Sequence, residues 1–96
     1  MNIELNKHTE QMLVSAVRYA LGRRTYIVSV TVDYMLPILP MLSDWCLEIM
    51  ERDLDDAFRM YERTKGQIGL GDSCDAEDWQ RFRNSVLKEQ ERRKTV

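Results

Sequence analysis

The sequence predicts one all-α domain over residues 1–96, a compact bundle of three to four helices. Three observations lead to this prediction. A length of 96 residues suits a single domain. Apolar residues recur at spacings of three and four along most of the chain, which is typical of amphipathic helices. Alternation typical of a strand occurs in one segment alone, so helices packing on one another are the simplest way to bury the apolar residues.

The first predicted helix runs from about Thr9 to Leu21. Thr9 or His8 is the expected N-cap, and Gly22 is the expected residue that ends the helix, because glycine has no Cβ to clash in a left-handed conformation. Residues 1–8 are expected to form a mobile end. The apolar positions of this helix lie on one face: Leu13, Ala16, Val17 and Ala20.

Residues 25–36 fit two structures, because their apolar residues alternate as in a strand while Thr25, Ser29 and Asp33 form one polar stripe of a helix. A strand here would pair with residues 3–5 or with the same segment of a second copy. Since an unpaired strand in a core leaves backbone groups unsatisfied, a helix is favoured and the strand is the alternative.

Pro37 should end or kink that second helix, because proline lacks an N–H and clashes with the preceding turn. Pro40 fits a short connector or the first turn of the next helix. Residues 27–42 hold more apolar surface than one small helix needs. We therefore expect this stretch to be core plus subunit interface in a homo-oligomer, which would also stabilise a chain this small.

The third predicted helix, from about Ser43 to Lys65, has the clearest apolar stripe. Its members are Leu47, Met50, Leu54, Ala57, Phe58 and Tyr61. Two pairs of opposite charge at a spacing of four are expected to stabilise it. The pairs are Glu48 with Arg52 and Asp55 with Arg59.

The fourth predicted helix follows a glycine-containing loop at 66–74 and has Asp75 as its expected N-cap, with Asp78 completing a weak capping box. Residues 89–96 are charged and contain no large apolar side chain before Val96, so we expect a second mobile end there. The apolar side of this helix consists of Trp79, Phe82, Val86 and Leu87.

The charge distribution excludes one class of function. The net charge is −2, with +1 in residues 1–42, −3 in residues 43–66 and zero in residues 67–96. No segment has the dense positive charge of a dedicated duplex-DNA binder. The acidic bias of residues 43–66 suits either a solvated helix face or a surface for a basic partner.

Residue types for catalysis or metal binding are sparse. His8, Cys46 and Cys74 lie far apart without ligand spacing, so we expect no metal and no cofactor, and Cys46 fits a small core residue. A single histidine makes a nucleophilic triad improbable. Residues 51, 55 and 56 carry carboxylates on an exposed helix, where we expect them to be solvated and to take no part in catalysis. We therefore expect a protein that is not an enzyme.

Three features predict the compartment. The chain has two cysteines and begins without a basic or apolar leader, which favours a reduced, cytoplasmic protein with free thiols. Its most apolar stretch, residues 34–42, is far shorter than the roughly 20 residues of a membrane span, so no membrane association is expected.

One cluster could bind an anionic ligand. Arg23, Arg24 and Tyr26, with Arg18 and Tyr19 nearby, would offer guanidinium donors and flat rings suited to a phosphate and a base. The alternative interpretation is structural, because the negative end of a helix dipole favours cations near the end of the first helix.

Four short segments carry a resemblance. Residues 19–26 (YALGRRTY), 42–44 (LSD), 50–56 (MERDLDD) and 74–79 (CDAEDW) resemble a group of small uncharacterised proteins carried by phages and prophages of Gram-positive bacteria. The resemblance spans about residues 12–88. Small phage proteins of this kind often inhibit host defence stoichiometrically, anti-CRISPR proteins among them. The resemblance therefore implies a host protein or ribonucleoprotein of a bacterial defence system as the partner.

The sequence thus predicts a non-enzymatic inhibitor that acts by occupying its target with a helix face. The candidate partner surface is the acidic side of the third helix, composed of Glu48, Glu51, Asp55 and Glu62. Two alternatives stay open. One is a protein that sequesters a nucleotide signal through Arg23, Arg24 and Tyr26. The other is a phage regulator that binds nucleic acid.

Overall fold

The computed structural model describes residues 6–21, 26–64 and 73–94, and within them the secondary structure is entirely helical. The all-α prediction is confirmed, and no strand occurs in these ranges. The elements in chain order are α1 (Lys7–Ala20), α2 (Tyr26–Met35), a 3₁₀ helix (Leu36–Met41), α3 (Asp44–Arg63) and α4 (Ser73–Lys94).

The segment that fitted either a helix or a strand is helix α2, so the favoured prediction is confirmed. Pro37 lies in the first turn of the 3₁₀ helix that follows directly, where its missing N–H removes no hydrogen bond. Pro40 lies inside the same 3₁₀ helix. The two prolines therefore end α2 and shape a compact connection to α3, as the sequence indicated.

The four α-helices pack in a ring. α1 packs on α2 and α3, whereas α4 packs on α2, α3 and the 3₁₀ helix. The α1/α2 side of the bundle, formed by α1 and α2, is thus opposite the α3/α4 side, formed by α3 and α4. Every element contributes to the core between them, whose most deeply buried large side chains include Val17, Val28, Val32, Met35, Leu39, Leu47, Met50, Leu54, Trp79 and Phe82.

Two predicted helix starts are wrong. The N-cap of α1 is Asn6, whose Oδ1 accepts a hydrogen bond from the Thr9 N–H at 2.9 Å, so neither Thr9 nor His8 caps the helix. Asparagine is as good a cap as threonine, and the earlier start lengthens the helix by about half a turn. Asp75 lies inside α4, which begins at Ser73. Gly22 lies outside the described residues.

The end of α4 also differs from the prediction. We expected residues 89–96 to lack anchors and fray, but α4 continues as a regular helix to Lys94. Its last turns are held by polar rather than apolar side chains, because Glu89 is only 8% exposed and Arg93 is mostly covered. At the other end, residues 7 and 8 belong to α1, so they are part of the bundle.

A buried carboxylate fixes the start of α3. Glu10 lies on the buried stripe of α1 and is 6% exposed. Its carboxylate accepts hydrogen bonds from the Ser43 N–H at 2.6 Å and from Ser43 Oγ at 2.8 Å. Ser43 Oγ in turn accepts the Cys46 N–H at 3.2 Å as the N-cap of α3. The negative charge thus lies at the positive end of the α3 dipole.

A guanidinium holds the same junction from the other side. Arg93 Nη2 donates to the Leu42 carbonyl at 2.6 Å and to the Pro40 carbonyl at 3.2 Å. Its Nη1 binds Asp44 at 2.8 Å, and its Nε binds Glu89 at 2.8 Å. The end of α4 is therefore fastened to the end of the 3₁₀ helix and the start of α3.

Candidate partner-binding surface

The predicted acidic row lies on the α3/α4 side of the bundle. Glu48, Glu51, Asp55 and Glu62 follow one another along one face of α3 at helical spacing. Glu48 and Glu62 are exposed, whereas Glu51 and Asp55 are half-buried where α4 approaches. The row thus runs along the seam between the two helices, and its members have different surroundings.

Asp55 is part of the contact between α3 and α4. Arg83 Nε of α4 donates to its carboxylate at 2.8 Å, and the Arg83 guanidinium lies 5.7 Å from the centre of the Phe58 ring. The predicted side-chain pair of Asp55 with Arg59 is wrong, since Arg59 binds the carboxylate of Asp56 at 3.2 Å and only the backbone carbonyl of Asp55. The charge of Asp55 is therefore compensated within the molecule.

Glu48 and Glu51 line a shallow groove of about 470 Å³ between the first turns of α3 and the last turns of α4. Among the described residues, neither carboxylate accepts a hydrogen bond or forms an ion pair, so the predicted pair of Glu48 with Arg52 is wrong. The lining holds four carboxylates against two cations, so the groove is negative. Its other lining residues are Asp44, Leu87, Gln90, Glu91, Arg93 and Lys94. We call this the acidic groove.

Glu62 belongs to a different surface. It lies toward the end of α3 and lines another depression together with Asp55, Arg59 and Arg83. Two carboxylates and two guanidinium groups balance there, so this depression has little net charge. The four residues predicted as one surface therefore separate into the acidic groove, with Glu48 and Glu51, and a charge-balanced depression with Asp55 and Glu62.

Only part of the predicted anion cluster lies among the described residues. Arg23 and Arg24 lie outside the described residues, as does the side chain of Tyr26, so this ligand site stays a prediction. The neighbouring Arg18 Nε binds the Asp53 carboxylate of α3 at 2.7 Å. This hydrogen bond and the charge of Asp53 raise the pKa of Arg18. Arg18 is therefore a contact between helices, in line with the structural interpretation.

Cys46 is a core residue, as predicted, with no exposed surface. Burial, with a smaller contribution from the charge of Glu10, raises the pKa of its thiol to about 12. The thiol stays protonated near neutral pH, and a protonated thiol is a poor nucleophile and metal ligand. Cys46 therefore contributes packing rather than chemistry.

Residues 6–21, 26–64 and 73–94 contain no group of three or more histidine, cysteine, aspartate or glutamate residues placed to hold a metal ion. Over the same ranges, no helix combines the length and apolar character needed to cross a membrane.

The residues of α4 that line the acidic groove were not predicted from the sequence, because residues 89–96 were expected to fray. The missed residues are Gln90, Glu91, Arg93 and Lys94. A periodic signal was present, since Leu87, Gln90, Glu91 and Lys94 recur at spacings of three and four and share one helix face. Polar residues carry that periodicity, so a search for apolar stripes does not detect it.

No family model matches the chain, and comparisons with curated proteins and with solved structures find no significant match.

Proposed function

We propose that this chain is a non-enzymatic, phage-encoded interaction protein that inhibits a bacterial defence factor by stoichiometric binding, in the manner of an anti-CRISPR protein. The acidic groove is the observation that supports it. Glu48 and Glu51 project from α3 without an internal partner among the described residues, whereas Asp44 and Asp55 are compensated by arginines of α4. The phage context comes from the resemblance carried by residues 19–26 and the three other segments.

The chemistry of the groove selects a basic partner surface. Carboxylates held on packed helices offer a negative potential that attracts lysine and arginine side chains and speeds encounter. Nucleic-acid channels of defence ribonucleoproteins are lined by such cations, because they must hold phosphates. Occupying a channel of this kind would block the defence factor without any reaction. Arg93 connects the α4 wall of the groove to the start of α3.

The proposal is tested by the growth of phage on bacteria that carry a defined CRISPR system. Expression of the wild-type chain should raise plaque numbers by several orders of magnitude, and Glu48→Lys with Glu51→Lys should abolish the gain. Glu62→Lys is the control for each single reversal, Glu48→Lys and Glu51→Lys, since it reverses one exposed charge on the same helix outside the groove. Circular dichroism of each purified variant establishes that the helices are intact.

Three outcomes would contradict the proposal in different ways. Full activity of the double variant would exclude the acidic groove as the contact surface. Equal loss with Glu62→Lys would show an effect of overall charge rather than of the groove. Absence of any effect of the wild-type chain across a panel of defence systems would exclude inhibition of host defence.

A further inference from the structure

The outward surface of α1 carries two large exposed apolar side chains. Met12 and Tyr19 are 63% and 60% exposed, and Ala16 between them is also exposed. These three residues are spaced four and three apart, so they form one row on the helix. A row of this kind on a small domain with 31% charged residues is unusual, because exposed positions elsewhere are mostly charged.

All charged residues of α1 are directed toward α3. Lys7 Nζ lies 5.3 Å from the centre of the Trp45 ring, Glu10 binds the start of α3, and Arg18 binds Asp53. Since Lys7 and Arg18 lie across the helix from the exposed apolar row, that row lies on the other side of α1. That side is where α2 packs.

Helix α2 also carries exposed apolar residues. Val30 and Tyr34, four residues apart, are 54% and 48% exposed. Asp33 is the only charged residue in its sequence, and Arg81 of α4 binds it at 3.0 Å. The charge of α2 thus lies at the α4 edge of its exposed surface, beside Val30 and Tyr34. Since α1 packs on α2, we infer that the exposed apolar residues of the two helices lie on the same side of the bundle.

The two rows therefore form one surface, the α1/α2 patch, composed of Met12, Ala16, Tyr19, Val30 and Tyr34. Its exposed area is roughly 500 Å², which is near the upper limit for a patch on a monomer. Methionine and tyrosine are enriched in the centres of protein interfaces, and lysine, glutamate and aspartate are depleted there. Three of the five patch residues are methionine or tyrosine, and none of the five is charged.

We propose that a second copy of this chain covers the α1/α2 patch in a two-fold dimer. In such a contact each patch faces its own copy, so any charge on it would meet a like charge. A patch without charge avoids this cost, whereas a charged partner would find no complementary group on it. Pairing two patches with their polar rims would bury on the order of 1,000–1,200 Å², which reaches the lower range of specific interfaces.

The dimer goes beyond the proposed function, because it uses the side of the bundle opposite the acidic groove. Both grooves of the dimer would face outward and stay accessible. Failure of one proposal therefore leaves the other intact: a monomer can still bind a partner through the groove, and a dimer can exist without any target.

Sedimentation equilibrium of the purified full chain tests the dimer. We expect the mass to rise from 11.4 kDa to twice that value at concentrations on the order of micromolar. Val30→Glu should raise the dissociation constant at least tenfold, because two like charges would be brought together in an apolar contact. Met60→Glu, which adds the same charge at a 37% exposed position of α3, should leave it unchanged.

Mixing charged variants adds a readout that misfolding cannot imitate. Val30→Glu with Tyr34→Glu and Val30→Lys with Tyr34→Lys should each be monomeric, yet their mixture should give a heterodimer in native mass spectrometry. A wild-type chain that stays monomeric at all concentrations, whatever else then covers the patch, would overturn the proposal. So would a Val30→Glu variant that dimerises as well as Met60→Glu does.

Discussion

The junction between the 3₁₀ helix and α3 is held from two sides by groups of opposite charge. From α1, Glu10 binds the N–H and hydroxyl of Ser43, at the end where α3 presents unpaired N–H groups. From α4, Arg93 binds the carbonyls of Pro40 and Leu42, where the 3₁₀ helix presents unpaired carbonyls. Each charge is thus matched to the polarity of the backbone that it meets.

The two anchors differ in how their charge is balanced. Arg93 also binds the carboxylates of Glu89 and Asp44. Glu10 has no cationic partner among the described residues, so hydrogen-bond donors and the α3 dipole alone stabilise its charge. A helix start can therefore hold a buried carboxylate without a cation, whereas Arg93 belongs to a network of ion pairs. Replacing Glu10 and Arg93 separately measures how much each anchor contributes to the free energy of unfolding.

Replacement of Arg93 by leucine should have the largest effect, a loss of about 2–3 kcal/mol in the free energy of unfolding. The variant leaves backbone carbonyls of the 3₁₀ helix without a donor and Glu89 without one of its two guanidinium partners. Urea unfolding followed by circular dichroism measures the loss. Arg59→Leu, which removes exposed contacts with Asp56 and with the Asp55 carbonyl of the same helix, is the control, and an equal loss in both would contradict the anchoring role.

Glu10→Gln should cost less, about 1–2 kcal/mol in the same measurement. The amide keeps the shape and one acceptor but loses the charge at the start of α3. Glu48→Gln, at an exposed position of α3, should change stability by less than about 0.5 kcal/mol. A Glu10→Gln variant as stable as the wild type would show that the charge of Glu10 is dispensable and that the shape and the acceptor oxygen of the side chain are sufficient to anchor α3.

The pH dependence of stability tests the network around Arg93. Hydrogen bonds from Arg92 and Arg93 lower the pKa of Glu89 from 4.5 to about 2. Because the folded pKa is below the unfolded one, the contribution of Glu89 is complete above about pH 5 and is lost as the pH falls toward 2. The melting temperature should therefore fall between pH 5 and pH 3, and less steeply in Glu89→Gln. Parallel curves for Glu89→Gln and the exposed-site control Glu77→Gln would contradict this.

Arg18→Ala should have the smallest effect, below about 1 kcal/mol. Arg18 bridges α1 and α3 as Glu10 does, but its side chain is 58% exposed, so water screens its pair with Asp53. Thermal unfolding of Arg18→Ala and Glu10→Gln compares an exposed with a buried contact between α1 and α3, and so measures how much burial contributes to the loss of stability. A loss from Arg18→Ala that matches the loss from Glu10→Gln would show that burial is not the deciding variable.

The helices could be predicted because their patterns are local. Val17 and Ala20 in α1 and Phe82 and Val86 in α4 were predicted on apolar faces, and each is buried. Ala16 was predicted on the same face of α1 but is exposed, and Val14 is buried instead. The choice of helix for residues 25–36 also rested on the sequence, since a strand there had no partner. These predictions need only neighbours within a few turns of the chain.

The anchors could not be predicted, because their partners lie 33 residues away for Glu10 and 49–54 residues away for Arg93. A signal existed in the pattern: Glu10 begins the stripe of Val14 and Val17, and Glu89 and Arg93 continue the stripe of Val86. A charged residue at a core position of a helix indicates a distant partner without identifying it. The candidate surface was incomplete for the same reason, since Glu48 and Glu51 were predicted and the α4 wall beside them was not.

The position of Arg93 also sets an order of events during synthesis. The segments that hold Glu10 and Ser43 leave the ribosome before α4 does, so their contact can form while α4 is still being made. The contact of Arg93 with the 3₁₀ helix cannot form until the last turns of α4 emerge, which is after Trp79 and Phe82 have emerged. Until α4 docks, the core residues of the earlier helices are not covered by Trp79 and Phe82. The nascent chain therefore passes through a stage with an open apolar face, which closes when α4 docks.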